Sequence, residues 1–227
     1  MENRELVAQI RTMLMERADP ARATGAQAYM KSSILSLGVR VPEVRRCVVV
    51  AAAAFPVESP EQLRATVLVL WREAQWREER YAAIDLTGLR PVAKDLLMLP
   101  VYEEIIRTGA WWDFVDGVSQ RICGLLLAHR TAMTSVLLEW STDDDFWIRR
   151  AAITSQLKAK AATDTELLRA TIEPNLDDQE FFIRKAIGWA LREFAKTNPA
   201  WVRDFVTEHA GQLSPLSRKE ALRHLNG

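Results

Sequence analysis

The chain has 227 residues, with 30 basic and 30 acidic side chains and a formal net charge of zero at pH 7. Apolar residues make up 48% of it, which is enough for a packed core and excludes a disordered chain. The polar N-terminus is unlike a secretory signal, and the longest uncharged run, Cys47 to Val57, is too short to span a bilayer. We therefore expect a cytoplasmic protein. Its neutral charge counts against nucleic-acid binding unless the cations are clustered.

Long Ala- and Leu-rich stretches without strict polar–apolar alternation predict an all-α protein. Proline opens several predicted helices, and acidic residues before a helix start are suited to cap its free N–H groups. The predicted helices with clear boundaries are, in chain order, Val41–Ala54, Pro60–Trp71, Arg149–Lys160, Thr165–Glu173, Glu180–Lys196 and Pro199–Ala210. No linker separates them, so we predict one domain over residues 1–227.

The two cysteines and three histidines do not indicate a metal site. Cys47 and Cys123 lie in apolar helical stretches, which predicts buried free thiols in a reducing compartment. The histidines are scattered and no metal-ligand spacing occurs. We expect neither a metal ion nor a cofactor.

An aromatic-led block recurs every 35 residues and opens a predicted helix each time, as at Phe146 and Phe181. Its first position is occupied by Trp76, Trp111, Phe146 and Phe181. A period of this length is typical of α-solenoids, in which each repeat is a pair of helices. We therefore predict a curved α-solenoid of about six helix pairs, and we assign Trp111 to packing between repeats.

The fifth position of the block is basic in all repeats but one. In chain order it is occupied by Arg45, Arg80, Val115, Arg150 and Lys185. Equivalent residues line up along one face of a solenoid, so these cations would form a basic row spaced to follow a polyanion such as a DNA backbone. The alternative is a solvated ridge whose cations pair with nearby acids such as Glu43, Glu78 and Glu79.

Two residues depart from the repeat. Asp116 is a carboxylate where the following repeats carry Ala, and Trp189 is an indole where earlier repeats carry smaller side chains. Trp112 lies four residues before Asp116, so both project from one helix face. Lys185 and Arg192 flank Trp189 on its own helix face.

A lone carboxylate between indoles in a cationic trough suits one kind of chemistry. A developing sugar cation is stabilised by a negative charge and by aromatic faces, while the cations hold the flanking phosphates. We therefore predict N-glycosidic bond cleavage in which Asp116 stabilises an oxocarbenium-like sugar and orients a water molecule. No Lys or Cys is placed as a covalent nucleophile, so a Schiff-base lyase step is not predicted.

Several motifs distributed over nearly the whole chain point to one family. They are Tyr29–Lys31, Leu37–Pro42, Trp111–Asp116, Phe146–Ile153, Phe181–Trp189, Leu191–Glu193, Lys196–Pro199 and Leu213–Ala221. Together they resemble the HEAT-like-repeat alkylpurine DNA glycosylases, the AlkD type of bacterial DNA alkylation repair enzyme. The Trp-Trp-Asp and Ala-Ile-Gly-Trp motifs are the most specific part of the resemblance.

The resemblance implies HEAT-like helix pairs with a concave DNA-binding face. It also implies a monofunctional glycosylase that releases cationic N3- and N7-alkylated purines from duplex DNA without base flipping. By match to the family's motifs, Asp116 is the catalytic carboxylate, and Trp112 and Trp189 contact the backbone at the lesion. Tyr29 and Arg150 match DNA-binding residues of the family. We expect a monomer that acts at the nucleoid during repair.

Two other functions stay open at this point. The first is a solenoid that binds damaged or branched DNA without cleaving it. The second is a protein–protein scaffold, a common use of helical solenoids. Release of 7-methylguanine distinguishes the enzyme from both, and DNA binding at low salt distinguishes the first alternative from the second. If Arg150 contacts phosphate, its loss should reduce the salt dependence of binding by about one unit of slope.

Overall fold

The computed structural model describes residues 1–225, and these residues are built from α-helices. The thirteen helices in this part of the chain are α1 (Arg4–Met15), α2 (Pro20–Met30), α3 (Val41–Ala54), α4 (Pro60–Arg72), α5 (Arg77–Leu86), α6 (Leu99–Gly109), α7 (Trp112–Ala128), α8 (Arg130–Trp140), α9 (Phe146–Thr154), α10 (Thr165–Ile172), α11 (Phe181–Ala195), α12 (Pro199–Glu208) and α13 (Pro215–Ala221). Within residues 1–225 no β-strand forms, and one isolated bridge joins Leu35 to Trp76. The predicted all-α class is confirmed.

The chain divides into two compact units, Met1–Val101 and Tyr102–Gly227. The first contains α1 to α5 and the second contains α7 to α13, while α6 spans the division. The predicted single domain, with about six helix pairs on a curved path, stays a prediction.

In the first unit, a buried glutamate holds an extended loop against α5. The carboxylate of Glu78 accepts hydrogen bonds from the Ser36 hydroxyl at 2.7 Å and from the backbone N–H groups of Leu37 and Gly38, both at 2.9 Å. Gly38 has φ +80°, and a Cβ there would lie 2.2 Å from the Asp19 carbonyl oxygen. Only glycine fits this position, because both the backbone conformation and the space exclude a side chain.

In the second unit, hydrophobic side chains from α9 to α13 form a shared core. Its fully buried members include Ile172, Ile183, Ile187, Leu191 and Val202. The 35-residue register is visible directly, since the hydroxyls of Ser119 on α7 and Thr154 on α9 are 2.8 Å apart. Residues that the repeat predicts to be equivalent are therefore neighbours on adjacent helices.

Most predicted helix boundaries agree with the structure. α3 has the predicted bounds, and α4, α11 and α12 differ from prediction by two residues or fewer at each end. Side chains of Asp145 and Glu180 accept hydrogen bonds from the backbone two residues later, as expected for N-caps of α9 and α11.

The predicted helix that includes Arg149–Lys160 is wrong at its C-terminal end. α9 begins at Phe146, and after Thr154 the chain continues as turns. The side chain of Gln156 exchanges two hydrogen bonds with the backbone of Asp164, at 2.8 and 3.0 Å, which closes a loop where the helix was expected to continue. Lys160 then adopts φ +51°, which is incompatible with a right-handed helix.

Cys47 and Cys123 are buried and free, as predicted. Burial raises the pKa of both thiols, which makes them poor nucleophiles. Over residues 1–225, none of the helices combines the length and the apolar character needed to cross a bilayer.

Candidate active site around Asp116

Asp116 lies one turn into α7, in the second unit. The helix begins at Trp112, and Trp111 precedes it as the N-cap residue. The side chains of Phe114 and Val115 are fully buried, whereas Asp116 keeps 17% of its side chain exposed. Trp112 and Asp116 are thus separated by one turn of the same helix, as the sequence predicts.

Both carboxylate oxygens of Asp116 are bound by Arg150 of α9. The guanidinium Nε donates to one oxygen and Nη2 to the other, each at 2.9 Å. Its third nitrogen, Nη1, donates to the backbone carbonyl of Phe182 on α11 at 2.6 Å. One arginine therefore joins three helices, in the bidentate geometry that gives the strongest carboxylate pairs.

Burial of Arg150 differs from the expectation of an exposed basic row. Its side chain is only 5% exposed, because the carboxylate of Asp116 and the carbonyl of Phe182 hold it inward. The basic row has Val115 in place of a cation in the repeat of Asp116, and Arg150 of the next repeat supplies the cation that pairs with this carboxylate. The DNA-binding role of Arg150 stays a prediction, but its guanidinium is engaged within the protein.

The pKa of Asp116 is raised above its ordinary value. Burial, which disfavours the charged carboxylate, is the main cause. The positive charge and hydrogen bonds of Arg150 act in the opposite direction, and the nearby Asp113 adds a further upward effect. Arg150 is thus the group that favours the ionised form of a carboxylate in a desolvated position.

Aromatic rings at the starts of α7, α9 and α11 pack against one another. The ring centroid of Trp111 lies 6.2 Å from that of Trp147 and 5.9 Å from that of Phe182, and the latter two are 4.8 Å apart. These contacts agree with the predicted packing role of Trp111. Its indole N–H is buried without a hydrogen-bond partner.

Trp189 lies on α11 between two cations that share one carboxylate. Lys185 Nζ is 3.3 Å from Glu220 Oε1, and Arg192 donates a hydrogen bond to Glu220 Oε2. Glu220 was not identified from the sequence as a site residue. A signal was present nonetheless, because one further step of 35 residues from Lys185 along the basic row reaches Glu220.

The remaining predicted DNA contacts belong to the first unit. Tyr29 is 74% exposed near the end of α2. Arg45 on α3 is exposed, with its Nε 3.6 Å from Asp85. Arg80 instead lies over the ring of Trp71 at 4.8 Å, and burial lowers its pKa. Of the two predicted row members in this unit, Arg45 is the exposed one.

One cluster elsewhere in the second unit has potential metal ligands. Carboxylate and imidazole atoms of Glu173, Glu208 and His209 lie within 4.8 Å of one another. The guanidinium of Arg169 donates hydrogen bonds to both carboxylates at 2.9 Å, so a cationic side chain already balances part of the negative charge of this cluster. The expectation of no metal site stays a prediction.

Comparison with known proteins identifies the family. The family model described as DNA alkylation repair enzyme matches residues 10–225. A solved structure described as a predicted DNA alkylation repair enzyme from Enterococcus faecalis is 30% identical, covers 92% of this chain and 97% of its own, and superposes with a TM-score of 0.82. A search of curated proteins found no match.

A more distant structure agrees in fold. AlkD2 from Streptococcus mutans is 14% identical and has a TM-score of 0.65, over 90% of this chain and all of that one. At this identity the likeness concerns the helical architecture alone. The resemblance seen in the sequence motifs is confirmed by the family match over residues 10–225, and the chain belongs to the DNA alkylation repair enzyme family.

Proposed function

We propose that the protein is a monofunctional DNA glycosylase. Its substrates would be cationic N3- and N7-alkylated purines in duplex DNA, whose N-glycosidic bond it hydrolyses without flipping the base. The observation that carries the proposal is the Asp116 carboxylate, which Arg150 holds in a bidentate pair one turn from Trp112, in a chain of the DNA alkylation repair enzyme family.

The proposed reaction needs little from the protein beyond charge and position. An alkylated purine carries a positive charge, so the electron pair of the breaking bond between C1′ and the base nitrogen neutralises it. The deoxyribose is left as an oxocarbenium-like cation, which the negative carboxylate of Asp116 stabilises. The oxygen of a water molecule then bonds to C1′ and its proton passes to solvent, so the products are the neutral free base and an abasic site.

The bidentate pair with Arg150 leaves the Asp116 carboxylate able to stabilise the sugar cation. A carboxylate has about four lone-pair positions, and Arg150 uses one on each oxygen. The 17% exposure of the Asp116 side chain gives a water molecule or a sugar access to the remaining ones. In this proposal Trp112 and Trp189 contact the backbone at the lesion, and Tyr29, Arg45, Lys185 and Arg192 contact phosphates.

Asp116→Asn is the direct test of the catalytic assignment. We expect the wild type to release 7-methylguanine from methylated duplex DNA, and Asp116→Asn to lower the single-turnover rate by about 10²–10³-fold, the range for removal of one electrostatic group from a transition state. Asp113→Asn is the matched control, since it makes the same chemical change three residues earlier on α7, and it should retain most of the activity.

Two results would sink the assignment. If Asp116→Asn released base at the wild-type rate, the carboxylate would not be catalytic. If the wild type bound duplex DNA but released no alkylated base, the non-catalytic DNA-binding function would replace the glycosylase.

A further inference from the structure

Glu220 joins the two cations that flank Trp189. Its two carboxylate oxygens are divided between them, one facing Lys185 and the other accepting a hydrogen bond from Arg192. The exposed fractions of the three side chains are 37% for Lys185, 20% for Arg192 and 14% for Glu220. The cluster is therefore partly shielded from water, and it carries one net positive charge where the two cations alone would carry two.

The fold places Glu220 there through a close helix contact. A Cβ on Gly188 of α11 would lie 2.6 Å from the Glu220 Cβ and 3.0 Å from the Ser217 carbonyl oxygen. The hydroxyl of Ser217 also donates a hydrogen bond to the Arg184 carbonyl at 2.9 Å. These contacts hold α13 directly against α11, so the backbone of Glu220 has a fixed position next to the two cations.

Glu220 is ionised over the range in which the protein would work. Burial by itself would raise its pKa, but the hydrogen bond and charge of Lys185, with the charges of Arg192 and Arg223, bring the pKa below its ordinary value. Its negative charge is therefore constant near neutral pH.

We propose that Glu220 lowers the affinity for DNA of the surface around Trp189. It does so by forming ion pairs with Lys185 and Arg192, which DNA phosphates would otherwise bind without competition. The inference rests on the proposed DNA-binding function. A phosphate that approaches Trp189 meets two cations already shared with a half-buried carboxylate, so the attraction between the phosphate and these cations is weakened by the nearby negative charge. Glu220 is thus a positioning residue that adjusts binding strength without contacting the reacting atoms.

Glu220→Gln tests this, because glutamine keeps the shape of the side chain and its packing against Gly188. The measurement is the Kd for undamaged duplex DNA across a salt series from about 50 to 200 mM, the range over which phosphate contacts change affinity strongly. We expect Glu220→Gln to bind several-fold more tightly at the low-salt end, with a slope of log K against log salt that is steeper by about one unit.

Glu208→Gln is the matched control, since Glu208 on α12 pairs with Arg169 at 2.9 Å and its loss removes the same unit of negative charge. It should leave the Kd nearly unchanged if position, and not net charge, matters. In a Lys185→Gln, Arg192→Gln background, Glu220→Gln should no longer tighten binding. This second comparison shows whether the tighter binding depends on Lys185 and Arg192, even if Glu220→Gln lowers the thermal stability.

The possible failures are distinguishable. If Glu220→Gln and the wild type bind DNA equally, or if Glu208→Gln tightens binding as much, the inference about Glu220 is overturned while the glycosylase proposal stands. If no variant binds DNA at low salt, the proposed function and the inference both fall. If the wild type releases no base yet Glu220→Gln binds DNA more tightly, only the glycosylase proposal falls.

Discussion

At the scale of single residues, Asp116 is governed by two opposed effects. Burial disfavours its charge and raises its pKa, while the bidentate pair with Arg150 favours the charge. A carboxylate in this balance is desolvated, so its charge acts strongly on a nearby cation, and it is still held in a defined orientation. Arg150 thus acts on the proposed chemistry through Asp116.

The pH dependence of base release should report this pair. Since burial raises the pKa of Asp116, the activity should fall, as pH decreases, at a higher pH than for an ordinary aspartate. Arg150→Gln removes the charge that opposes burial, so the pKa of Asp116 should rise further and the acid limb should move to higher pH. The measurement is the single-turnover rate of 7-methylguanine release against pH.

Arg149→Gln is a suitable control for that experiment. Arg149 is the adjacent residue and pairs with Asp178 at 2.8 Å, so its loss removes a positive charge without touching Asp116. Its acid limb should coincide with that of the wild type. An unchanged acid limb in Arg150→Gln would show that Arg150 does not control the ionisation of Asp116.

At the scale of helices, the contact between α11 and α13 decides the surroundings of Trp189. Gly188 stands in the Ala-Ile-Gly-Trp motif because the backbone of α13 passes directly over it. The resemblance to the family points to Trp189 as the functional residue of this motif, whereas the structure explains its glycine through packing.

Gly188→Ala should therefore destabilise the protein. The added Cβ would overlap the Glu220 Cβ and the Ser217 carbonyl, so α13 would have to shift, at a cost of about 1–3 kcal/mol for overpacking. The measurement is the free energy of unfolding in urea, or Tm. Gly211→Ala is the control, because nothing lies within 4 Å of a Cβ there. Equal stability of the two variants would mean that α13 is not held closely against Gly188.

The helix boundaries show which local signals are reliable. Helix starts marked by proline or an acidic cap, such as Val41, Pro60 and Pro199, were predicted to the residue. The end of α9 was not, because it depends on Gln156 closing a loop with Asp164 eight residues later. The apolar periodicity of the sequence continues past Thr154. This pattern cannot predict that the Gln156 side chain forms hydrogen bonds with the Asp164 backbone in place of a further helical turn.

At the scale of the whole molecule, many of the basic and acidic side chains that give the neutral net charge form ion pairs with one another. Arg107 binds Asp143, Arg149 binds Asp178, and Arg169 binds Glu208, all at 2.7 to 2.9 Å. Cations engaged in this way contribute little to the field that attracts a polyanion. The number available to phosphates is smaller than the 30 basic residues suggest.

We therefore expect a shallow salt dependence of non-specific DNA binding. If Arg45 and the cluster of Lys185, Arg192 and Glu220, which carries one net positive charge, are the main phosphate contacts, the slope of log K against log salt should be about −2, at roughly 0.9 per phosphate neutralised. Arg150→Gln should leave the slope unchanged because its guanidinium is already bound to Asp116 and Phe182, which revises the expectation from sequence alone. A wild-type slope near −6 or steeper, or a shallower slope in Arg150→Gln, would contradict this account.

The sequence by itself determined the all-α class, most helix starts, the 35-residue register and Asp116 as its exception. These follow from signals that act within a few residues or from a period that can be counted. Only the tertiary structure decided that Arg150 is buried against Asp116 and that Glu220 holds Lys185 and Arg192. Such pairs join side chains 28 to 35 residues apart in the sequence. They therefore depend on how adjacent helices pack and on which charged side chains the packing brings together.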